Sequence, residues 1–286
     1  MGKIAIVADS TASLSDDFCR EHEISVIPLY LHMQGNTLRD GVDISADEFY
    51  ERLPKCDPVP TTSQPSAGDF LQLYRRLVEQ GATAIVSVHI SSYLSGTVNS
   101  ARLAAEQLEG VPVEIVDTLA TVGGISLPVE AGVAARAAGA DAAGMAAAMN
   151  KVAEAQKILF AVDTLEYLYK GGRIGGAAAL LGSMLQLKPI LRLLDGKIEA
   201  VERVRTSSKA LVRMLAIAQE WMGTEPVRVV VMSSACPERA QEVMQHLAKY
   251  LNVESVVSVA LSPCIGTHTG LGTVGLCLCP SALVTA

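Results

Sequence analysis

The sequence predicts an α/β protein with two domains. The first domain is a parallel sheet with helices on both faces, and the second is an α+β domain with a mixed sheet. With 286 residues, the chain is long enough for two hydrophobic cores. Its first half alternates β-branched apolar runs with helical patterns, which is typical of a covered parallel sheet. Its second half contains Asp195-Gly196 between two strand-like runs, which indicates a hairpin and therefore antiparallel strands.

The N-terminal domain is predicted to span residues 1–158. A capping box at Ser45 and Glu48 marks the start of one of its helices, and Gly81 marks the end of the next. The predicted strands are KIAIVADS, ISVIPLYLHM, TAIVSVHI and VEIVDT. The predicted helices are SLSDDFCREHE, SADEFYERL, SAGDFLQLYRRLVEQG and TVNSARLAAEQLEG, followed by alanine-rich helices to about residue 157.

The C-terminal domain is predicted to span residues 159–286. Its hairpin lies within KPILRLLDGKIEAVERV, and a helix runs from Ser207 to about Met222. The remaining elements are the strand VRVVVMSS, the helix PERAQEVMQHLAKYL, the strand ESVVSVALS and the terminal strand TVGLCLC.

Composition excludes several classes of protein. A net charge of −7 without a basic stripe argues against nucleic-acid binding. No apolar run reaches membrane length, and the N-terminus has no signal-peptide pattern, so we expect a cytoplasmic protein without an integral membrane segment. The six cysteines lack zinc spacing. Cys277 and Cys279 share one face of a strand and are interpreted as buried, reduced thiols, with a redox or metal pair as the weaker alternative.

The glycine-rich segment GLGTVG, residues 270–275, matches the dinucleotide-binding pattern G-x-G-x-x-G. That pattern functions only where a strand precedes it and a helix opens within it. Only eleven residues follow Gly275, and they have the pattern of a strand. We therefore reject nucleotide binding and expect these glycines to form a turn or to allow close backbone approach.

Hydroxyl side chains gather at predicted strand ends and in loops. In the segment SSYLSG, Ser95 and Gly96 lie between a buried strand and a helix, where free N–H groups and the helix dipole favour an anion. Ser95 as a simple N-cap is the alternative interpretation. No lysine, arginine or metal motif accompanies these hydroxyls, so a single carboxylate fits them better than a polyphosphate. The other hydroxyl clusters lie at residues 9–11, 61–63 and 267–269.

Nucleophilic catalysis is the competing interpretation of the same residues. Ser95 could form a hydrolytic triad with His268 and either Asp9 or Asp117, which would make the protein an acyl hydrolase or acyltransferase. A triad is recognised by its geometry, which the sequence does not supply.

A set of motifs in fixed order resembles the DegV family of bacterial fatty-acid-binding proteins, which includes the binding subunit of fatty acid kinase. The resemblance spans nearly the whole chain and is specific only as a set. The motifs are DGVDIS (40–45), TTSQPS (61–66), SSYLSGT (91–97), DTLEYLYKGGRI (163–174), LKPIL (187–191), VRTSSKA (204–210) and GTHTGLGTVG (266–275).

The resemblance implies a two-domain DegV-like fold that binds one long-chain fatty acid in an apolar tunnel. It implies that the protein needs no cofactor, is not itself a catalyst and presents the acyl chain to an ATP-using kinase for phospholipid synthesis. By motif position, the ligand-binding residues are Thr61, Thr62, Ser95, Gly96, His268 and Thr269. Arg173 and Arg205 are implied to face the kinase or the ligand exit, and glycines around Arg173 suggest that its guanidinium reaches solvent or a partner. The alternative interpretation of Arg173 is a helix-terminal arginine that bonds nearby carbonyls. A lipid-responsive regulator with a different partner is a third hypothesis.

Overall fold

The computed structural model describes residues 2–284 and contains three β-sheets. Its strands are β1 (Lys3–Asp9), β2 (Ile24–Ile27), β3 (Tyr30–Met33), β4 (Asn36–Arg39), β5 (Thr61–Ser63), β6 (Ala82–His89), β7 (Val113–Asp117), β8 (Lys157–Ala161), β9 (Lys188–Leu194), β10 (Lys197–Val204), β11 (Pro226–Ser233), β12 (Asn252–Ala260) and β13 (Val274–Pro280).

Helices cover these sheets and connect them. The α-helices are α1 (Asp16–Glu21), α2 (Ala46–Arg52), α3 (Ala67–Glu79), α4 (Thr97–Glu106), α5 (Gly123–Ala137), α6 (Ala142–Ala155), α7 (Glu166–Lys170), α8 (Ser207–Met222), α9 (Pro237–Leu247), α10 (Pro263–Thr269) and α11 (Ser281–Val284). Three 3-10 helices lie at Ser10–Ala12, Leu53–Lys55 and Gly175–Gln186.

The first sheet has the order β2-β1-β6-β7, and all of its strands are parallel. Alternate side chains point to opposite faces of a strand, so each face of this sheet builds a separate core. Val7 and Ile85 pack in one core with residues of α3 and α4, whereas Ile6 and Val86 pack in another with residues of α5 and α6. The predicted parallel sheet with helices on both faces is confirmed.

The second sheet has the order β10-β9-β8-β13-β11-β12 and is mixed. Strands β11 and β12 are parallel, and the other neighbouring pairs are antiparallel. Residues of α8 and α9 cover one face, while the other face packs against residues from the first half of the chain. The predicted mixed sheet is therefore confirmed.

One predicted strand proves to be two. The run ISVIPLYLHM divides at Pro28 into β2, which pairs with β1 in the first sheet, and β3, which pairs with β4 and β5 in a small antiparallel sheet. Proline cannot donate a ladder hydrogen bond and therefore breaks a strand of this length. The resulting third sheet, which the sequence did not predict, carries Thr62.

Local turn chemistry was predicted more successfully. Asp195 and Gly196 have φ values of 49° and 80° and join β9 to β10 in an antiparallel hairpin, as predicted. The GLGTVG segment leads into strand β13 rather than opening a helix, which supports the rejection of a dinucleotide site. Cys277 and Cys279 are buried, unpaired thiols in the same core.

Candidate ligand-binding site

A cavity lies between the second sheet and the strand ends of the first half of the chain. Its empty volume is about 890 Å³, including the part open to solvent. Most of its wall is apolar and comes from both halves of the chain: Leu29, Ile90, Leu94, Val122, Ile158, Phe160, Leu168, Leu193, Ile198, Met232, Leu261 and Ile265. The polar wall residues include Thr62, Ser95, His268, Thr269, Gln64 and Arg173.

Thr62 and His268 form a hydrogen-bonded pair in this wall. Thr62 lies on β5 and His268 on α10, and the distance from Thr62 Oγ1 to His268 Nε2 is 2.8 Å. His268 Nδ1 is buried and has no hydrogen-bond partner among the described residues. If Nε2 carries the proton and donates to Thr62, the threonine hydroxyl can donate its own hydrogen to an anion in the cavity.

Ser95 also lines the cavity, at the start of helix α4. The N-cap position belongs to Gly96 and makes no side-chain capping bond, so the interpretation of Ser95 as an N-cap is wrong. The Ser95 hydroxyl instead lies 2.8 Å from Thr97 Oγ1, while its backbone N–H donates to the carbonyl of Ser91. An uncapped N-terminus on a ten-residue helix leaves N–H groups and positive dipole charge beside a cavity-lining hydroxyl.

Arg173 contributes a positive charge to the wall of the cavity, whereas the family resemblance implied that it faces a kinase or the ligand exit. Its side chain lines the cavity and is partly buried, and it donates hydrogen bonds to the carbonyls of Leu94, at 3.0 Å, and Gly171, at 2.7 Å. These two carbonyl bonds match the alternative interpretation of Arg173 as an arginine that bonds carbonyls near a helix end, and its side chain remains partly exposed at the cavity wall. The assumption of an oxyanion site without a basic residue is corrected.

The environment of His268 keeps its imidazole neutral. Burial and the nearby Arg173 guanidinium lower the pKa of His268 to about 4. At neutral pH the site therefore combines a neutral imidazole, hydroxyl groups and one permanently charged guanidinium. This set of donors suits one monovalent oxyanion.

Asp40, in the DGVDIS segment, fixes the start of the helix that carries His268. Its buried carboxylate accepts a hydrogen bond from the backbone N–H of Cys264, at 3.1 Å, and another from Ser10 Oγ, at 2.7 Å. Because Cys264 lies in the first turn of α10, Asp40 caps that helix from a distant part of the chain. Burial raises the pKa of Asp40.

Glycines allow the backbone to approach closely around this site. A Cβ atom on Gly171 would collide with His268 Nδ1, and one on Gly270, where φ is +71°, would collide with the ring of Tyr167. Close backbone approach, which was predicted for residues 270–275, is thus seen at Gly270, and Gly171 is a second case that was not predicted. Gly171 makes room for the imidazole, and Gly270 ends helix α10.

The remaining predicted site residues divide between the cavity and the surface. Thr269 lines the cavity, with its hydroxyl bonded to the carbonyl of Ile265. Thr61 is exposed and does not line the cavity. Gly96 is not a wall residue, although its missing side chain leaves room for Gln64. Arg205 is exposed and lies outside the cavity.

Sequence reasoning missed several wall residues, including Gln64, Thr11 and Cys264. Gln64 lies in TTSQPS, two positions after Thr62, so the motif itself held this signal. Thr11 lies in one of the hydroxyl clusters, but its hydroxyl is bonded to Asp9. Cys264 carried no signal, because a lone cysteine beside a proline is uninformative.

The hydrolytic triad is not assembled. Ser95 Oγ is bonded to Thr97, and His268 Nε2 to Thr62. Asp9 is buried against His89, and Asp117 accepts from the backbone N–H groups of Ser92 and Leu119. Within residues 2–284, no carboxylate orients His268, and no group of three or more His, Cys, Asp or Glu side chains is arranged to hold a metal ion.

The cavity is thus lined mainly by apolar side chains, and its wall also carries hydroxyls, a neutral imidazole and a guanidinium, a set that could hold the carboxylate of an amphipathic ligand. Comparisons with known proteins identify the family. The profile described as "Uncharacterised protein, DegV family" matches residues 3–281, and the chain belongs to the DegV family. A DegV domain-containing protein from Streptomyces coelicolor is 40% identical over 283 residues, covering 96% of this chain and 97% of the relative.

Solved structures show the same fold. One from Thermus thermophilus, reported as fatty acid binding of a DegV family protein, has a TM-score of 0.91 and 36% identity and covers 98% of this chain and 100% of that chain. One from Eubacterium ventriosum, reported as a stearic acid-binding protein, has a TM-score of 0.88 and 28% identity and covers 96% and 97%. Among residues 2–284 of this chain, no helix is long and apolar enough to cross a membrane.

Proposed function

We propose that this protein binds one long-chain fatty acid, with the acyl chain in the apolar part of the cavity and the carboxylate at Thr62, Ser95 and His268. The observation that carries this proposal is the placement of hydroxyls, a neutral imidazole and a guanidinium in one otherwise apolar wall. The relatives reported to bind fatty acids support it.

The energetics favour a ligand held mainly by its tail. The fourteen methylenes of a sixteen-carbon chain contribute about 0.8 kcal/mol each on burial, or roughly 11 kcal/mol before the entropic cost of binding. Hydrogen bonds to the carboxylate add about 1 to 3 kcal/mol each and set its orientation. Arg173 supplies the positive charge that keeps the carboxylate ionised within the wall.

Calorimetric titration of delipidated protein tests this arrangement. Palmitate binds with a stoichiometry of one, and 1-hexadecanol, which has the same chain length without the carboxylate, binds at least about tenfold more weakly. Equal affinity for acid and alcohol contradicts a carboxylate site at Thr62, Ser95 and His268. Absence of binding by both contradicts the lipid-binding function.

We further propose that the protein is not itself a catalyst and that it presents the acyl carboxyl to an ATP-using fatty acid kinase in the cytoplasm. The unassembled triad is consistent with a non-catalytic role. The six unpaired cysteines are consistent with a reducing compartment such as the cytoplasm. Arg205 is exposed near the start of α8 and is available to a partner, and Arg173 links the second half of the chain to the loop that carries Ser95. Acyl-phosphate formation with the purified kinase and ATP, dependent on this protein, tests the role directly.

A further inference from the structure

Strand β12 forms one edge of the second sheet. It pairs with β11 on one side, and no other strand of residues 2–284 lies on its outer side. Every residue of β12 is at least partly exposed, and Val256 and Val257 are 41% and 49% exposed. An edge of this kind presents a row of N–H and C=O groups that can pair with another strand.

This edge lacks the features that normally prevent pairing. From Ser255 to Ala260 it contains no charged residue and no proline. The one charge of β12, Glu254, lies at a register shift between the pairs Val227–Val253 and Arg228–Ser255, before the regular part of the strand. The segment SVVSVA is therefore uncharged and rich in β-branched residues, a composition that favours strand pairing.

The opposite edge of the same sheet is protected. Strand β10 carries four charged residues, and the 3-10 helix at Gly175–Gln186 packs against its backbone, since a Cβ on Gly175 would collide with the carbonyl of Ile198. The charged residues of β10 are Lys197, Glu199, Glu202 and Arg203. The contrast between the two edges indicates that β12 has a partner.

We propose that β12 pairs antiparallel with β12 of a second copy of this chain, about a two-fold axis near Val257. In this register Val257 faces its own counterpart, Val256 faces Ser258, and Ser255 faces Val259. Every facing pair from Ser255 to Val259 is then uncharged, with each valine opposite a serine or, at Val257, another valine, and Glu254 opposes Ala260 rather than a second carboxylate. Because the paired segments carry no charge from Ser255 to Val259, two copies of the strand can pair without electrostatic repulsion. The two-fold axis uses the same surface of both chains, so the assembly ends at a dimer. The product is one continuous twelve-stranded sheet.

The dimer leaves the cavity unaffected. None of the wall residues lies on β12; the second sheet contributes to the wall through β8, β9, β10, β11 and β13. Lipid content and oligomeric state are therefore independent measurements, and failure of one does not decide the other.

Sedimentation velocity of the full chain over a range of concentrations tests the interface. The wild-type chain sediments as a dimer, and Val257→Lys, which places two ammonium groups opposite each other, sediments as a monomer with unchanged circular dichroism and lipid content. Val212→Lys is the matched control, because Val212 is an equally exposed valine (53%) on α8, and this variant remains dimeric. A wild-type chain that is monomeric throughout, or a Val257→Lys variant that remains dimeric, overturns the proposal.

Oxidative cross-linking tests the register. Facing residues of an antiparallel pair have Cα atoms about 4.5 to 5.5 Å apart, which a disulfide can span. Mild oxidation of the Val257→Cys variant therefore gives a covalent dimer, and the Val212→Cys variant and the wild-type chain give none. A dimeric Val257→Cys variant that does not cross-link overturns the proposed two-fold axis.

Discussion

Thr62 Oγ1 lies 2.8 Å from His268 Nε2, and this hydrogen bond joins the two halves of the chain at the wall of the cavity. The two residues are 206 positions apart. Arg173, which donates to the carbonyl of Leu94, makes a second bridge in the same region. The oxyanion site therefore exists only when both halves are folded and in contact.

Removing one hydroxyl from the site weakens fatty-acid binding without unfolding the protein. Thr62→Val and Ser95→Ala each remove one hydrogen bond worth about 1 to 3 kcal/mol to the carboxylate, which corresponds to an increase in Kd of about 5- to 150-fold. Titration with palmitate measures the change. Thr61→Val is the matched control on the same strand, because its side chain is exposed outside the cavity, and its Kd is unchanged. Wild-type affinity in both site variants would place the carboxylate elsewhere.

The ligand-free protein loses stability as the pH falls from about 6.5 towards about 4. The pKa of His268 is about 4 in the folded protein and about 6.5 when unfolded, so in this range the unfolded chain binds a proton that the folded chain does not. The contribution of His268 to this loss levels off below pH 4. Urea unfolding measured across this range shows the effect.

Replacing His268 isolates its share of that pH dependence. His268→Gln flattens the profile between pH 4 and 6.5, whereas the control His246→Gln, at a partly exposed histidine of α9 outside the cavity, does not. An unchanged slope in His268→Gln shows that other groups cause the loss of stability.

Gly171→Ala displaces the His268 ring and weakens fatty-acid binding by about tenfold or more. The backbone φ of Gly171 is −78°, which alanine adopts readily, so the effect is purely steric contact with Nδ1. Gly68→Ala, in helix α3, is the control: its Cβ has only an ordinary contact with Ser66 Oγ at 3.5 Å, and binding is unchanged. Equal Kd values for the two variants would contradict the close approach of Gly171 to the imidazole.

Arg205→Ala separates binding from presentation. Because Arg205 lies outside the cavity, the variant keeps its lipid and its stability, while kinase-coupled acyl-phosphate formation falls by about tenfold or more. Arg102→Ala, at an exposed arginine of α4, keeps full turnover. Arg173→Ala lowers both lipid retention and turnover, because it also opens the contacts with Leu94 and Gly171. Unchanged turnover in Arg205→Ala would remove the docking role.

Features set by neighbouring residues could be predicted from the sequence. The Asp195-Gly196 hairpin follows from the positive φ values of its own two residues. Helix α2 begins after Ser45, whose side chain accepts from the N–H of Glu48; this is one half of the predicted capping box, and the Glu48 carboxylate instead accepts from Arg52. Periodicity also identified both main sheets, because buried strands have a recognisable pattern of their own.

Features set by distant residues could not be predicted. Helix α10 consists largely of poor helix formers, and its first turn is satisfied by Asp40, which is 224 positions from Cys264. The inward position of Arg173 depends on the carbonyl of Leu94, 79 residues away. The start of α10 and the position of Arg173 therefore follow from tertiary contacts that leave no local signal in the sequence.

The central claim is that one long-chain fatty acid occupies the cavity. Native mass spectrometry of the protein as purified from a bacterial host, followed by denaturing extraction and identification of the released lipid, tests it most directly. The account predicts a mass increase of one long-chain fatty acid per chain and release of that acid in a one-to-one ratio. A chain that has the mass of the polypeptide alone, and that gains no mass on incubation with palmitate or oleate, would contradict it.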